Sequence, residues 1–363
     1  MAGPLNGVKV IEVAGLGPSP HAAMMMADMG ASIIRIERPE GDASGAYPEL
    51  RSHTRRGRPV LEIDLKRRSG VDELLKLAER ADVFMEGMRP GVAERLGIGP
   101  DVVRSLNPGI VYARMTGWGQ EGPLAHVAGH DINYISVTGV LAAIGTADVP
   151  VPPLNLVGDY GGGSTFLVMA ILAALVERHR SGLGQVVDVA MVDGVGVLAQ
   201  QMLGMCTAGE WAEEREANLL DGGCPYYRTY RCADGGHVAV GAIEPKFYAE
   251  LLDGLGLADT ELPDREDRAS WKRLASVFAD VFATRSRDEW AQLFRLSDAC
   301  VTPVLTFAEA AQHEQIAIRK AIIRDGAGIT SGRGPKFSRS KTGPEDWTPS
   351  LGESWADETA QEI

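Results

Sequence analysis

Cysteine is scarce in this 363-residue chain. Cys206, Cys224, Cys232 and Cys300 are the only four, and no two of them form a C-x-x-C pair. A disulfide framework or a zinc site calls for closer, patterned spacing, so the four read as reduced, mostly packed thiols and no metal centre is expected. Positive charge is also in deficit: 36 Lys and Arg stand against 49 Asp and Glu, for a formal charge of -13 and a pI near 5.1. That mean field repels polyanions, so neither nucleic acid nor an anionic membrane is expected as a partner. Long apolar runs are missing as well. "FLVMAILAALV" at 166–176 ends at "ERHR", short of the roughly 20 residues a membrane span needs, and reads as a buried helix. The opening "MAGPLNGVKVIEVAG" has no charged region ahead of a long apolar stretch, and "TAQEI" is neither a peroxisomal address nor a prenylation box; a cytoplasmic protein without membrane insertion is the expectation.

What is present is alternation. "VKVIEVAG" (8–15), "SPHAAMMMADMG" (19–30) and "ASIIRIERP" (31–39) read as strand, helix and strand, with Ser19 and Pro20 as cap and first-turn pair and Gly30 as terminator. "VDELLKLAERA" then "DVFMEG", and "PDVVRSLN" then "GIVYARMTG", repeat the pattern, which implies a mostly parallel sheet covered by helices. "GQVVDVAMVDGVGVLAQQMLGM" (184–205) reads as a strand and one long apolar helix, followed by a polar, glycine-rich linker. From 226, "YYRTYRCADGGHVAVG" is two strands around an Asp-Gly-Gly turn, a strong hairpin signal that opens a small α+β domain. The length itself exceeds a usual single domain of roughly 100 to 200 residues, and one large plus one smaller domain suits a cleft enzyme.

Several stretches carry chemistry or mere punctuation. Residues 51–68 hold Arg51, Arg55, Arg56, Arg58, Lys66, Arg67 and Arg68 against Glu62 and Asp64, a basic island that is either a solvated face or the seat of a small polyanion. "AGLGPSP" resembles a dinucleotide turn, but Pro20 stands where that fingerprint needs Gly or Ala, so a tight β-α turn is preferred. "GDYGGGS" (158–164) lacks the Gly-Lys-Ser/Thr of a phosphate loop; its triple glycine allows close backbone approach by a ligand, and Ser164 is placed to cap the next helix. Asp159 there is either a cleft-rim acid on a loop or a turn aspartate. In "AGHDINYIS", His130 and Asp131 open an expected helix; His130 is either a base beside free helix N-terminal amides or a packed histidine, and Asp131 a first-turn acid. Glu244 before Pro245 is a helix-start glutamate or a functional acid. Met191, Met202 and Met205 are core by default or an adaptable apolar surface.

Taken in order, "MAGPL", "SPHAAM", "RIERP", "EGMRPGVAERLGIGP", "YARMTGWGQEGP", "AGHDINYIS", "PPLNLVGDYGGGS", "QVVDVAMVDG", "DGGCPYY", "GAIEPKFY" and "SDACVTPVL" resemble the alpha-methylacyl-CoA racemases of actinobacterial type, within the family III CoA-transferase superfamily. The resemblance implies an α/β fold with a large Rossmann-like domain at 1–189, to which 324–363 return, a small α+β domain at 226–306, linkers at 190–225 and 307–323, and an interlocked homodimer. It places His130 and Asp159 as two catalytic bases, Glu244 as the acid that hydrogen-bonds the histidine, in cis or across the dimer, and the amide of Asp131 as donor to the thioester oxygen. Arg38, Arg56, Lys66, Arg89 and Arg95 fall in segments that contact coenzyme A, with Gly87 and Tyr134 on the same path. The expected activity is epimerisation of 2-methyl-branched acyl-CoA by α-proton removal and return through an enolate, with coenzyme A part of the substrate and no separate cofactor. The alternative is CoA transfer between acids with Asp159 as the acyl-accepting nucleophile.

Overall fold

The computed structural model describes residues 3–39, 54–326 and 328–342. Arg51 of the basic island and the acidic tail from 345 lie outside the described residues. Six strands form a parallel sheet: β1 (Lys9–Val13), β2 (Ser32–Glu37), β3 (Val60–Glu62), β4 (Val83–Glu86), β5 (Val111–Thr116) and β6 (Val186–Ala190). Their order is β3-β2-β1-β4-β5-β6. The strand order therefore reverses between β1 and β4, which opens a crevice at the carboxyl ends of those two strands.

Both sheet faces are covered, which explains why the strands read as nearly continuous apolar runs. Val10, Val83, Val111 and Ala113 meet Ala22 and Met26 of helix Pro18–Asp28 and Leu167 and Ile171 of helix Phe166–Ser181. The alternate residues Ile11, Phe84 and Tyr112 meet Leu74 and Leu77 of helix Arg68–Ala78 and Val103 of helix Pro100–Leu106. Removing one such side chain, as in Ile11→Ala, costs about 2–5 kcal/mol. The first helix begins at Pro18 behind Gly17 (φ 69), not behind Ser19, which is buried within the first turn and makes no capping bond. Gly30 ends it as expected, with φ 99 and its N–H donating to Ala27.

Charge is buried beside this apolar core. Glu12 accepts from Arg35 and forms an ion pair with Arg58 at 3.1 Å; Arg35 also donates to Glu37 at 2.7 Å. Three members of the basic island are thus committed internally: Arg58 to Glu12 at 3.1 Å, Arg55 to Glu37 at 2.8 Å and Arg56 to Asp28 at 2.5 Å. Truncating Glu12 would leave the fully buried Arg58 without its carboxylate, at a cost of about 3–5 kcal/mol.

The chain divides into two compact units. The first comprises Met1–Thr138, Leu154–Ala199 and Ala317–Ile363; the second comprises Gly139–Pro153 and Gln200–Ile316. The first also holds the short antiparallel pair Ile322–Asp325 and Gly328–Ser331. In the second, the Asp-Gly-Gly hairpin joins β7 (Tyr227–Arg231) to β8 (His237–Gly241), and β9 (Val301–Pro303) completes an antiparallel sheet. Val238 and Val240 face Phe278 and Phe282 of helix Trp271–Phe282 and Trp290 of helix Arg287–Phe294. The division at Ala199/Gln200 breaks what the sequence pattern reads as one long helix into Met191–Leu198 and Gln200–Ala208.

One expectation about the apolar run at 166–176 needs correcting in two respects. A π-helical stretch, Leu156–Thr165, precedes it without a break, so the continuous helix Leu156–Ser181 is 26 residues long and apolar enough to meet the length and composition of a membrane span. It is also only half buried. Leu167, Val168, Ile171 and Ala174 sit in the sheet core, while Met169 and Val176 are 56% and 65% exposed on the opposite stripe. The buried stripe makes it a core helix of the first unit.

Candidate active site

The loops after β1, β4 and β5 border the crevice. Their glycines are needed for close packing. A Cβ at Gly117 would lie 2.0 Å from the Tyr134 ring, and one at Gly129 would lie 2.7 Å from it. Tyr134 therefore occupies a slot that no larger residue would leave, edge-on to Trp118 with centroids 4.8 Å apart. That seat fixes helix Asp131–Val137, a single short element that stops before Gly139 (φ 83) instead of running on through "VLAAIG". His130 is its N-cap, extended (φ -131, ψ 173) and exposed, with its N–H donating to Asn133 Oδ1 at 3.0 Å.

Asp159 lies in the π-helical stretch, not on a loop. Helical geometry brings Asn155, four residues earlier, against it, and the Asn155 Nδ2–H donates to Asp159 Oδ2 at 3.1 Å. The backbone N–H of Asp159 donates to Asp131 Oδ1 at 2.7 Å. Burial pushes the Asp159 carboxyl up from its ordinary value and the Asp131 charge adds to this, while the Asn155 hydrogen bond and the nearby His130 pull it down. His130 and Asp159 are thus electrostatic neighbours although 28 residues of chain separate Asp131 from Asp159. Burial and the Asp159 charge likewise raise the Tyr134 phenol, against the influence of Arg89.

The glycines after Asp159 serve a purpose other than ligand approach. A Cβ at Gly162 would stand 2.7 Å from the Val195 nitrogen, and one at Gly163 would stand 3.0 Å from Pro18 and 3.1 Å from Met191. They let helix Met191–Leu198 and the first turn of helix Pro18–Asp28 close on the π-helical backbone. Met191 is accordingly a core residue, 6% exposed. Ser164 is not a cap. It donates to the Tyr160 carbonyl at 3.0 Å and meets His21 Nδ1 at 2.7 Å, and the His21 ring stacks on Tyr160 at 4.2 Å.

Of the residues expected along the coenzyme A path, Arg38 and Lys66 come together on a cavity of 290 Å³, beside Glu37, Gly15, Leu16 and Met88. This cavity lies at the carboxyl ends of β1 to β3 and is bordered by Val13 to Leu16; a Cβ on the adjoining Gly17 would stand 3.4 Å from Asp159 Oδ2. Gly87, where a Cβ would stand 2.9 Å from Ser19 Oγ, and Arg89 are exposed after β4; Arg95 is exposed on helix Val92–Arg95. Arg56 is held by Asp28 and also donates to the Ser331 carbonyl at 2.7 Å. Glu244 lies in the second unit, exposed at the N-cap of helix Pro245–Leu255, and Arg265 donates at 2.7 Å to the carbonyl of Ile243 next to it. Among the described residues no group of three or more His, Cys, Asp or Glu is placed to hold a metal.

Sequence reasoning missed Asn155, the approach of the turn glycine Gly17 to Asp159, and the His21–Ser164–Tyr160 cluster. Asn155 has the i, i+4 spacing that would reveal it, but only for a reader who takes the glycine-rich stretch as helical.

The family model described as CoA-transferase family III matches residues 5–354. Alpha-methylacyl-CoA racemase of Mus musculus is 46% identical over 352 residues, covering 96% of this chain and 91% of that protein. The Homo sapiens protein of the same name is 43% identical, covering 88% of this chain and 82% of its own. Among solved structures, a CAIB/BAIF family protein from Brucella suis superimposes with a TM-score of 0.82 at 25% identity, covering all of both chains.

Proposed function

The chain belongs to CoA-transferase family III, and from that premise we propose that it interconverts (R)- and (S)-2-methylacyl-CoA thioesters. The observation that carries this reading is that His130 acts electrostatically on a half-buried Asp159 whose carboxyl burial pushes up, the two brought together in one unit by the bond from the Asp159 N–H to the neighbouring Asp131. A thioester acidifies its α-hydrogen because the enolate left behind is delocalised onto oxygen. Inversion then needs one base on each face of the planar intermediate. His130 serves one face. Asp159 serves the other, and its desolvation makes it a stronger base than an aspartate in water. In the same scheme the Asp131 amide, first in its helix, donates to the enolate oxygen, a contribution of about 2.7–4 kcal/mol when lost. Glu244, from its own subunit or a partner's in a homodimer, orients the imidazole.

Arg38 and Lys66 on the cavity, with Arg89 and Arg95 after β4, are the cations proposed for the coenzyme A phosphates. Gly87 lets that handle approach the backbone, and Tyr134 borders the acyl end. Arg56, neutralised by Asp28, suits a phosphate least. Binding energy from the handle positions the α-carbon, so a truncated thioester loses kcat as well as affinity. The scheme needs no cofactor beyond the coenzyme A of the substrate and is compatible with action in the cytoplasm.

The test is α-hydrogen exchange. Incubated in deuterated water with one enantiomer of a 2-methylacyl-CoA and no acceptor acid, the protein should incorporate deuterium as it inverts the centre. Label that enters only after a free carboxylic acid is supplied would instead favour acyl transfer through Asp159.

A further inference from the structure

We infer that the side chain of Asp131 is a positioning residue that fixes the separation of the two bases, an inference that rests on the two-base reading above. Asp131 follows His130 directly and reaches across to accept the backbone N–H of Asp159 at 2.7 Å. One residue thus ties together two bases that belong to different helical elements. His130 is joined to Asp131 by a peptide bond, and Asp131 is 7% exposed and packed in place. The site is shaped around this carboxylate. A Cβ on residue 158 would stand 2.5 Å from Asp131 Oδ1, so glycine at that position is what admits it.

Stability alone does not call for a carboxylate here. Asp131 Oδ2 is buried with no hydrogen-bond partner among the described residues. A buried half-satisfied charge is costly, and an asparagine would offer the same acceptor without it. What the charge adds is its field on Asp159. The groups that act on the Asp159 carboxyl are Asp131 and His130, with Asn155 donating to it; Tyr134 is its near neighbour, itself under the influence of Arg89. Among the described residues Asp131 is the one negative charge that acts on Asp159, so it keeps that base from becoming too weak. The side chain therefore has two separable actions, a hydrogen bond that sets distance and a charge that sets basicity.

Two variants separate them when α-deuterium exchange is measured against pH for each enantiomer. In Asp131→Asn the acceptor remains and the charge goes. The acid limb that reports ionisation of Asp159 should move to lower pH, with kcat reduced by about tenfold or less. In Asp131→Ala the limb should move in the same direction and kcat should fall by about 100-fold, the loss expected for a misplacement near 1 Å, with KM little changed. An acid limb in Asp131→Asn superimposable on that of the parent, or equal kcat in the two variants, would overturn the inference. If Asp131→Ala does not fold, the pH profile of Asp131→Asn still decides. A parent protein that exchanges no α-hydrogen at all would overturn the two-base reading itself, and that result is read without any variant.

Discussion

Gly17 faces the carboxylate of Asp159 across the turn between β1 and the first helix: a Cβ placed on Gly17 would stand 3.4 Å from Asp159 Oδ2. The contact distance is an ordinary one, but the backbone there (φ 69, ψ -120) belongs to a region that residues with a side chain rarely enter. Gly17→Ala should therefore lower unfolding stability by about 1–3 kcal/mol, measured by urea denaturation. Any loss of exchange activity should be smaller than that of Asp159→Asn, because the carboxylate need not move.

Division of labour between the bases predicts a different pattern for the two enantiomers. His130→Ala and Asp159→Asn should each reduce inversion by about 10²- to 10⁴-fold. Each variant should retain slow α-deuterium exchange with the enantiomer handled by the surviving base, without inversion. Retained inversion in either variant, followed by NMR of the recovered product, contradicts the two-base scheme.

Asp159 also makes a prediction about stability. Its carboxyl is raised above its ordinary value of 3.8 mainly by burial, so the native state holds that proton more tightly than the unfolded chain does. The stability it contributes is present below pH 3.8 and is lost as pH rises through the native value. At neutral pH the ionised group is therefore a liability. Asp159→Asn should raise Tm at pH 7, and the gain should shrink as pH approaches 4, in parallel thermal scans. This is the trade expected where an acid is retained for chemistry at the expense of stability.

The sign reverses for His21. Burial foremost, with Arg56 and Arg58 adding, holds its imidazole below the ordinary 6.5. The unfolded chain takes up that proton first, so stability is full above pH 6.5 and declines as pH falls through the native value. His21→Gln should flatten the stability profile over that interval, as read from denaturant midpoints at successive pH values.

Gly194 provides the sharpest steric test. A Cβ there would lie 2.0 Å from the Gly162 carbonyl oxygen, a backbone atom that cannot swing aside. Gly194→Ala should cost about 1–3 kcal/mol by overpacking. It should also lower exchange activity, since the displaced segment carries Asp159. Gly196→Ala, on the same helix with open space around its Cβ, is the control and should leave Tm nearly unchanged.

Much of the fold was legible because its signals are local. The β-α-β alternation, the continuous apolar character of β1, β4 and β5, and the Asp-Gly-Gly hairpin each depend on residues a few positions apart. The ordered family motifs led to His130, Asp131, Asp159 and Glu244. Only tertiary structure decided the rest. "GDYGGGS" carries the composition of a loop, yet it folds as a π-helical stretch because Val195, Pro18 and Met191 press against glycines that leave them room. The basic island reads as one patch of charge, but Glu12, Glu37 and Asp28, all more than 15 positions away along the chain, neutralise three of its arginines. The bond from Asp159 to Asp131 likewise spans 28 residues. A local pattern records what each residue prefers, whereas the partner of a buried charge and the occupant of a missing Cβ are settled when distant segments meet.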